Sequence, residues 1–551
     1  MVIRPDAERI RDARPCKGGR APTYPAAMTD LATERRSDLL DPQLVDGLVA
    51  GIVAGADAQR QLVLAPFTGE PLVDVPMSSV EDVERAYVDA REVQHAWADR
   101  PVADRADVLL RWHDLVLDHR MELVDVVQAE SGKSRLSAYE EVVDLALHCR
   151  YYARRGPAML RRRRATGLVP VLTRGYEVRH PKGVIGIVSP WNYPIVTAVC
   201  DAVPALLAGN GVVLRPDTQV TLSALRTREL AIRAGVPEGL WQVVAGPGRV
   251  VGQAVVDGAD YVQFTGSTGT GRQVALSAAR RLVGTSLELG GKNPLLVLSD
   301  ADLDHAAAGT ARAISANAGQ LCVSIERVLV DRAVADAFVP RLVEAMRRLR
   351  LGAGDDWSVE VGTLVSADQL ERVSGYVDDA VARGARVLTG GRARPDLGPY
   401  FYEPTLLDGV TPDMPACAEE VFGPVAWVAT AAGDDALVEA ANDSPYGLNA
   451  SVWTSDLRRG RAVAERIRCG TVNVNEVYGA TWSATALPMG GMRDSGLGRR
   501  HGPEGLQKFT ESQTVAWQRG FPLAPFGPFT AEHYERATTA WLRVAKAAHL
   551  R

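Results

Sequence analysis

The stretch KGVIGIVSPWNYPIVTAVC spans Lys182–Cys200. Its first half is a short apolar run rich in β-branched residues, which reads as a buried strand. Ser189-Pro190 and Tyr193-Pro194 punctuate the run, and an apolar helical segment follows. The pattern then repeats. GVVLRP, WQVVAG, YVQFTG and RLVGTSLELG are further strand-like runs. Between them lie helical segments at Ile195–Ala208, Leu222–Ala234, Val250–Val256 and Gly269–Arg280. Regular alternation of strand and helix predicts a parallel sheet covered on both faces.

After Pro294 a second set begins: NPLLVLS, ERVLVD, a long helix around Ala333–Arg350, then ARVLTGG and GPVAWVAT. It predicts a second α/β domain. Upstream, Val83, Ala86, Tyr87, Ala90 and Trp97 recur largely at helical spacing within Glu81–Ala98, and another helical stretch covers Asp104–Glu130. The basic run Arg161–Arg164 leads into LVPVLTRGYEVRHP, whose alternation fits an extended hairpin standing away from both cores. A charge run of this kind is ordinarily a solvated face; here it can also flank an arm that pairs with another subunit.

A chain of 551 residues is too long for one small core. A net charge of −5 gives no reason to expect nucleic-acid binding, and no apolar run approaches the ~18 residues of a membrane span. Cys16, Cys149, Cys200, Cys322, Cys417 and Cys469 form no CxxC pair and no metal-ligand spacing, so no metal site is expected and a reducing cytoplasm fits best. Residues 1–40 are rich in Arg, Pro and Gly, lack the apolar core of a secretory signal, and are interrupted by acids; they read as a disordered extension, with Met28 an alternative start.

Five short motifs carry the chemistry. In SPWNYP, Asn192 falls at the carboxyl end of a strand, where doubly wound sheets bind ligands. Its amide can donate to a developing oxyanion or cap the next helix. FTGSTGTGR (Phe264–Arg272) is a strand, a glycine turn and a helix start suited to a phosphate, with Gly266 and Ser267 at the turn; a plain tight turn reads the same way. ELGGKNP puts Glu288 at a strand end, a general base if burial raises its pKa, or a loop anchor. EEVFGPV sets Glu420 and Phe422 before a strand. NAGQLCVSIER contains Cys322, which alone reads more readily as a packed core thiol than as a nucleophile.

The order PWNYP, FTGSTGTG, ELGGKNP, GQLC, EEVFGPV resembles the aldehyde dehydrogenase superfamily from about residue 60 to about 515. NVNEV, PMGGMRDSGLGRRHGPEG and FTESQTV extend the likeness. GQLCVSIER, FYEPT, YGLNASVW and GRRHGPEGL are most like actinobacterial NADP-dependent succinate-semialdehyde dehydrogenases. The resemblance implies a Rossmann-type cofactor domain (41–158 and 182–290), an α/β catalytic domain (291–498), a β-arm for oligomerisation (159–181 and 499–520) and a C-terminal tail (521–551). That tail is basic and amphipathic, and packing on the protein's own surface is expected over contact with a membrane surface.

The resemblance also implies roles. Cys322 attacks the aldehyde carbon, in a site expected to favour the thiolate. Asn192 and the Cys322 N–H hold the alkoxide, and Glu288 activates water on the thioester. Cofactor contacts carry over to Trp191, Asn192, Arg215, Pro216, Asp217, Thr218, Gly266, Ser267, Leu289, Glu420 and Phe422. NAD-preferring members usually carry glutamate where Thr218 stands, so NADP is expected to be preferred and NAD tolerated, with Arg215 able to pair with phosphate. The expected substrate is succinic semialdehyde; an apolar or aromatic aldehyde is the alternative, and a catalytically silent member of the fold a third. Two features depart from the pattern. No arginine follows the WN motif in PIVTAVCDAV, and Ala316 stands where a carboxylate-binding arginine is expected. A homodimer or homotetramer is expected.

Overall fold

The computed structural model describes residues 40–168 and 172–549. The expectation for residues 1–40 therefore falls outside them, apart from Leu40. Two large sheets dominate. The first has six strands in the order Gly496–Leu497, Gly284–Glu288, Tyr261–Thr265, Val184–Val188, Gly211–Arg215, Trp241–Val243. All neighbours run parallel except Gly496–Leu497, which is antiparallel to Gly284–Glu288. Val184–Val188 comes first in the chain and sits in the middle, with later strands added on both sides. That reversal of direction opens a crevice at the strands' carboxyl ends, beside Asn192.

The central strands Val184–Val188 and Gly211–Arg215 are buried along their whole length. This explains why they read as continuous apolar runs instead of alternating. Helix Val80–Asp99 covers one face, with Val83, Ala86, Tyr87 and Ala90 in the core beside Val184 and Val213. Ser79 starts it with a capping box to Asp82. On the other face, Leu109 and Trp112 join Ile185, Val212 and Leu214.

The second sheet has seven strands: Arg386–Thr389, Thr405–Asp408, Val425–Ala431, Ile325–Asp331, Asn293–Val297, Asn449–Trp453, Thr471–Val474. Only Arg386–Thr389 is antiparallel to its neighbour. The pair Gly496–Leu497 belongs to the first sheet, so the chain returns to the cofactor-side sheet inside the stretch assigned to the catalytic domain. A third sheet joins Arg163–Thr166, Thr173–Pro181 and Thr510–Gln518, all antiparallel. Residues 499–507 are not in that sheet. Helix Gly502–Gln507 instead buries Gly502, Gly505 and Leu506.

Several helices differ from the sequence reading. Ile195–Ala208 is two helices, Pro194–Ala198 and Ala202–Ala208. Pro204 lacks the N–H for a bond to Cys200, and its ring would clash with that carbonyl, so the chain breaks just there. Asp104–Glu130 is also two, Val102–Asp118 and Arg120–Ser131, meeting at His119. No proline or glycine marks this junction. The C-terminal helix Ala531–Ala547 buries none of its residues, but Trp541 Nε1 donates to the Leu168 carbonyl at 2.6 Å, tying the tail to the arm. No helix among the described residues is long and apolar enough to cross a membrane.

Candidate active site

Cys322 follows a turn that few sequences tolerate. Asn317 and Ala318 adopt φ of 51° and 52°, and Gly319 φ of 71°. Three successive left-handed residues are costly for L-residues, least so for Gly and Asn. At Gly319 a Cβ would stand 2.0 Å from the Gly423 carbonyl oxygen, so no side chain fits. Hydrogen bonds hold the turn in place. Gln320 Nε2 donates to the Asn317 and Thr363 carbonyls at 3.1 and 3.3 Å, and its Oε1 accepts from Val365 N at 2.9 Å. Asn293 Nδ2 donates to the Cys322 carbonyl at 2.7 Å.

Asn192 is docked onto this turn. Its Nδ2 donates to the Gln320 carbonyl at 3.0 Å, the one protein acceptor of that amide among the described residues. Its second N–H is left for another partner. The Asn192 carbonyl accepts from Asn317 Nδ2 at 3.0 Å and from Lys133 Nζ at 2.8 Å. Lys133 is fully buried and bonds Glu141 at 2.5 Å, and Glu141 also accepts from Ile195 N and Val196 N. Burial pulls the ammonium down and pushes the carboxyl up, each opposed by the other's charge. Glu141 thus caps the start of the helix behind Asn192, the capping role first considered for Asn192 itself.

Glu288 ends its strand at the crevice with Oε1 buried and without a hydrogen-bond partner among the described residues. Burial raises its carboxyl from the usual range to about 7, against the opposing charges of Arg500 and Lys508. Those cations are held by Asp201, at 2.9 Å from Arg500 and 3.2 Å from Lys508. The acid at position 201 is therefore neutralised within the protein. Burial also pushes the Cys322 thiol up to about 12, helped by Glu420 and Glu288. Arg500 opposes that rise, so burial first and the two carboxyl groups second disfavour the thiolate that the resemblance implies.

Two glycines after Glu288 make room for the neighbouring loop. A Cβ on Gly290 would meet Glu420 Oε2 at 2.5 Å, and one on Gly291 the Cys322 carbonyl at 2.8 Å. Glu420 accepts from Gly291 N at 2.9 Å, and burial lifts it to about 8. Phe422, at φ 59°, sets its ring edge-on to Trp191 with centroids 5.5 Å apart. Glu326 fixes this loop by accepting from Val421 N, Phe422 N and buried Lys292.

On the cofactor side, Ser267 caps helix Thr268–Arg280 by accepting from Thr270 N. Gly266 N donates to the Glu288 carbonyl at 3.0 Å, and a Cβ there would meet the Phe264 ring at 2.6 Å. Leu289 N donates to the Ser495 carbonyl, and its side chain leaves no room for a Cβ at Gly271. Pro216 carries the chain from strand Gly211–Arg215 to Asp217, which caps the turn Thr218–Val220 through Gln219 N. Thr218 is buried. Arg215 turns back, donating through Nε and Nη2 to the Gly246 carbonyl, with Nη1 3.6 Å from Asp217. Its guanidinium is thus largely committed. A helix N-terminus, a bare glycine approach and an aromatic pair at the crevice together fit a dinucleotide.

Sequence reasoning missed Lys133, Glu141, Asn317, Gln320, Asn293 and Glu326. Of these, only the pattern Asn-Ala-Gly carried a local signal, of left-handed backbone. Cys200 is buried, bonded to Asp144 at 3.3 Å and raised well above the usual thiol range by burial; it lies off the loop that carries Cys322.

A sequence model of the aldehyde dehydrogenase family matches residues 52–515. A Mycobacterium tuberculosis protein provisionally named succinate-semialdehyde dehydrogenase (NADP+) 2 is 51% identical over 462 residues, covering 84% of this chain and 89% of its own. The structure resembles an NAD-dependent aldehyde dehydrogenase from Sinorhizobium meliloti, at TM-score 0.82 and 34% identity over 87% of this chain and 94% of that one. It also resembles an NADP-dependent enzyme from E. coli, at TM-score 0.80 and 32% identity over 85% and 96%. With the match covering most of its length and the crevice built as described, the chain belongs to the aldehyde dehydrogenase family.

Proposed function

We propose that this protein oxidises succinic semialdehyde to succinate, preferring NADP and tolerating NAD, with Cys322 as nucleophile, Asn192 as oxyanion donor and Glu288 as base. The observation that carries the chemistry is the docking of Asn192 and Cys322 onto one rigid turn, facing a buried, proton-poised Glu288. The substrate and cofactor rest on the Mycobacterium tuberculosis relative's name and on uncharged Thr218.

Cys322 Sγ bonds to the aldehyde carbon while its proton leaves to a neighbouring carboxylate or water. The carbonyl oxygen becomes an alkoxide beside the free N–H of Asn192 and the Cys322 backbone. Trp191, Glu420 and Phe422 would hold the nicotinamide ring of a bound dinucleotide, with Gly266 and Ser267 at its phosphates, and the cofactor would accept the hydride lost from the former aldehyde carbon. The product on sulfur is a thioester. Glu288 takes a proton from water, which adds to the thioester carbon; the C–S bond breaks and the carboxylic acid leaves.

Asp217 and Arg215 flank Thr218, and Leu289 packs behind the phosphate turn. The arm, Thr173–Pro181 with Arg163–Thr166 and Thr510–Gln518, is the proposed pairing surface of a homodimer or homotetramer. A cytoplasmic setting agrees with the five free cysteines among the described residues. Tyr478 and Trp482, in the apolar cluster against which Cys322 packs, and buried Tyr193 favour an aromatic aldehyde as second reading. Comparing kcat/KM for succinic semialdehyde, benzaldehyde and medium-chain aldehydes with both cofactors tests the proposal. Higher values for benzaldehyde, or for NAD, would overturn it.

A further inference from the structure

An anionic semialdehyde needs a cation near the crevice, and the two positions where the family pattern expects arginine hold none. Arg312 lies one helical turn before Ala316, on helix Leu303–Ser315, and its carbonyl accepts the Ala316 N–H. Residues four apart share a helix face, so a long side chain at 312 can serve the place that the short one at 316 leaves empty. The Arg312 guanidinium carbon lies 5.4 Å from the Tyr478 ring centroid. Tyr478 and Ala316 belong to the apolar cluster against which Cys322 and Trp482 pack.

The fork rests on Tyr478, with which it shares a hydrogen bond, and is otherwise loosely held. Arg312 is 48% exposed, with Glu140 at 3.5 Å and Glu476 at 3.8 Å. Both separations exceed the ~2.7–2.9 Å of a formed charge-assisted hydrogen bond. A second polar group waits nearby: the Tyr193 hydroxyl is buried without a hydrogen-bond partner among the described residues. Its phenol lies within electrostatic reach of Tyr478, Glu140 and Cys322.

Resting on the substrate reading above, we infer that Arg312 is the anchor for the substrate's carboxylate, selecting short unbranched aldehydes that end in an anionic group. A carboxylate oxygen pair matches the planar guanidinium fork and displaces the loose contacts with Glu140 and Glu476. Those two acids make the opposite preference, for a cationic aldehyde, the rival outcome.

The test uses the full-length enzyme with NADP and three aldehydes of equal chain length: succinic semialdehyde, butanal and 4-(trimethylammonio)butanal. In wild type, kcat/KM favours succinic semialdehyde. Arg312→Met cuts the ratio of succinic semialdehyde to butanal by about 10–100-fold, mainly through KM, and Arg312→Lys restores part of it. A wild-type preference that survives Arg312→Met overturns the anchor while leaving the substrate reading intact. No wild-type preference over butanal overturns the substrate reading, and the anchor with it. A preference for the cationic aldehyde that Glu140→Gln removes overturns the anchor and assigns the acids instead. Circular dichroism of each variant, with Arg312→Lys as the conservative control, separates misfolding from lost selectivity.

Discussion

At the scale of single residues, Glu288 and Cys322 are tuned against each other. Glu288 is a base only as a carboxylate, and burial raises its pKa to about 7. Thioester hydrolysis therefore rises with pH through about 7 and levels off above, and it falls on acidification as the carboxyl regains its proton. A stopped-flow deacylation profile with its midpoint near pH 4.5 would contradict this. Replacing the base separates the two halves of the reaction. Glu288→Gln lowers steady-state turnover by roughly 10²–10⁴-fold while leaving a burst of reduced cofactor of about one per site. Loss of the burst would mean that Glu288 also serves the first step. The upward shift of the Cys322 thiol was not legible from its neighbours in sequence, because it comes first from burial in the folded site and then from Glu420 and Glu288, which lie 98 residues after and 34 before it.

At the scale of elements, the turn before Cys322 sets the geometry. Gly319 cannot accept a side chain, since its Cβ would overlap the Gly423 carbonyl. Gly319→Ala is expected to cost several kcal/mol locally and abolish turnover, even if the remaining fold survives; near-normal kcat in the variant would refute the close approach. Lys133→Met removes the ammonium beneath Asn192 and leaves Glu141 buried without its partner. The expected result is a 10–100-fold fall in kcat and a lower melting temperature. Unchanged kcat would show that Asn317 and Gln320 suffice to hold Asn192. The strands were readable because buried parallel strands are continuous apolar runs, and the break at Pro204 follows from proline chemistry already in the sequence. The Lys133 support was not readable, since it spans 59 residues to Asn192 and looks like any lysine.

At the scale of the whole molecule, sheet order creates the site. Val184–Val188 is central and neighbouring strands are added on both sides, so SPWNYP, FTGSTG and ELGG end at one crevice. The sequence alternation implied such a sheet, and the family resemblance supplied the facing loop of Cys322. Neither could show that Arg215 folds back onto Gly246, because that bond depends on where strand Trp241–Val243 ends. With Arg215 so engaged, the proposed discrimination between cofactors falls mainly to Thr218. Thr218→Glu sets a carboxylate against the 2′-phosphate and should lower the NADP-to-NAD ratio of kcat/KM by roughly 10²-fold, like-charge contacts costing several kcal/mol; an unchanged ratio would place phosphate recognition elsewhere.

The central claim, that Cys322 carries the acyl group, is tested most directly by intact and peptide mass spectrometry of the Glu288→Gln enzyme quenched after mixing with NADP and succinic semialdehyde. The account predicts one succinyl adduct per chain, on the peptide containing Cys322. An adduct on Cys200, or none despite a burst of NADPH, would contradict it.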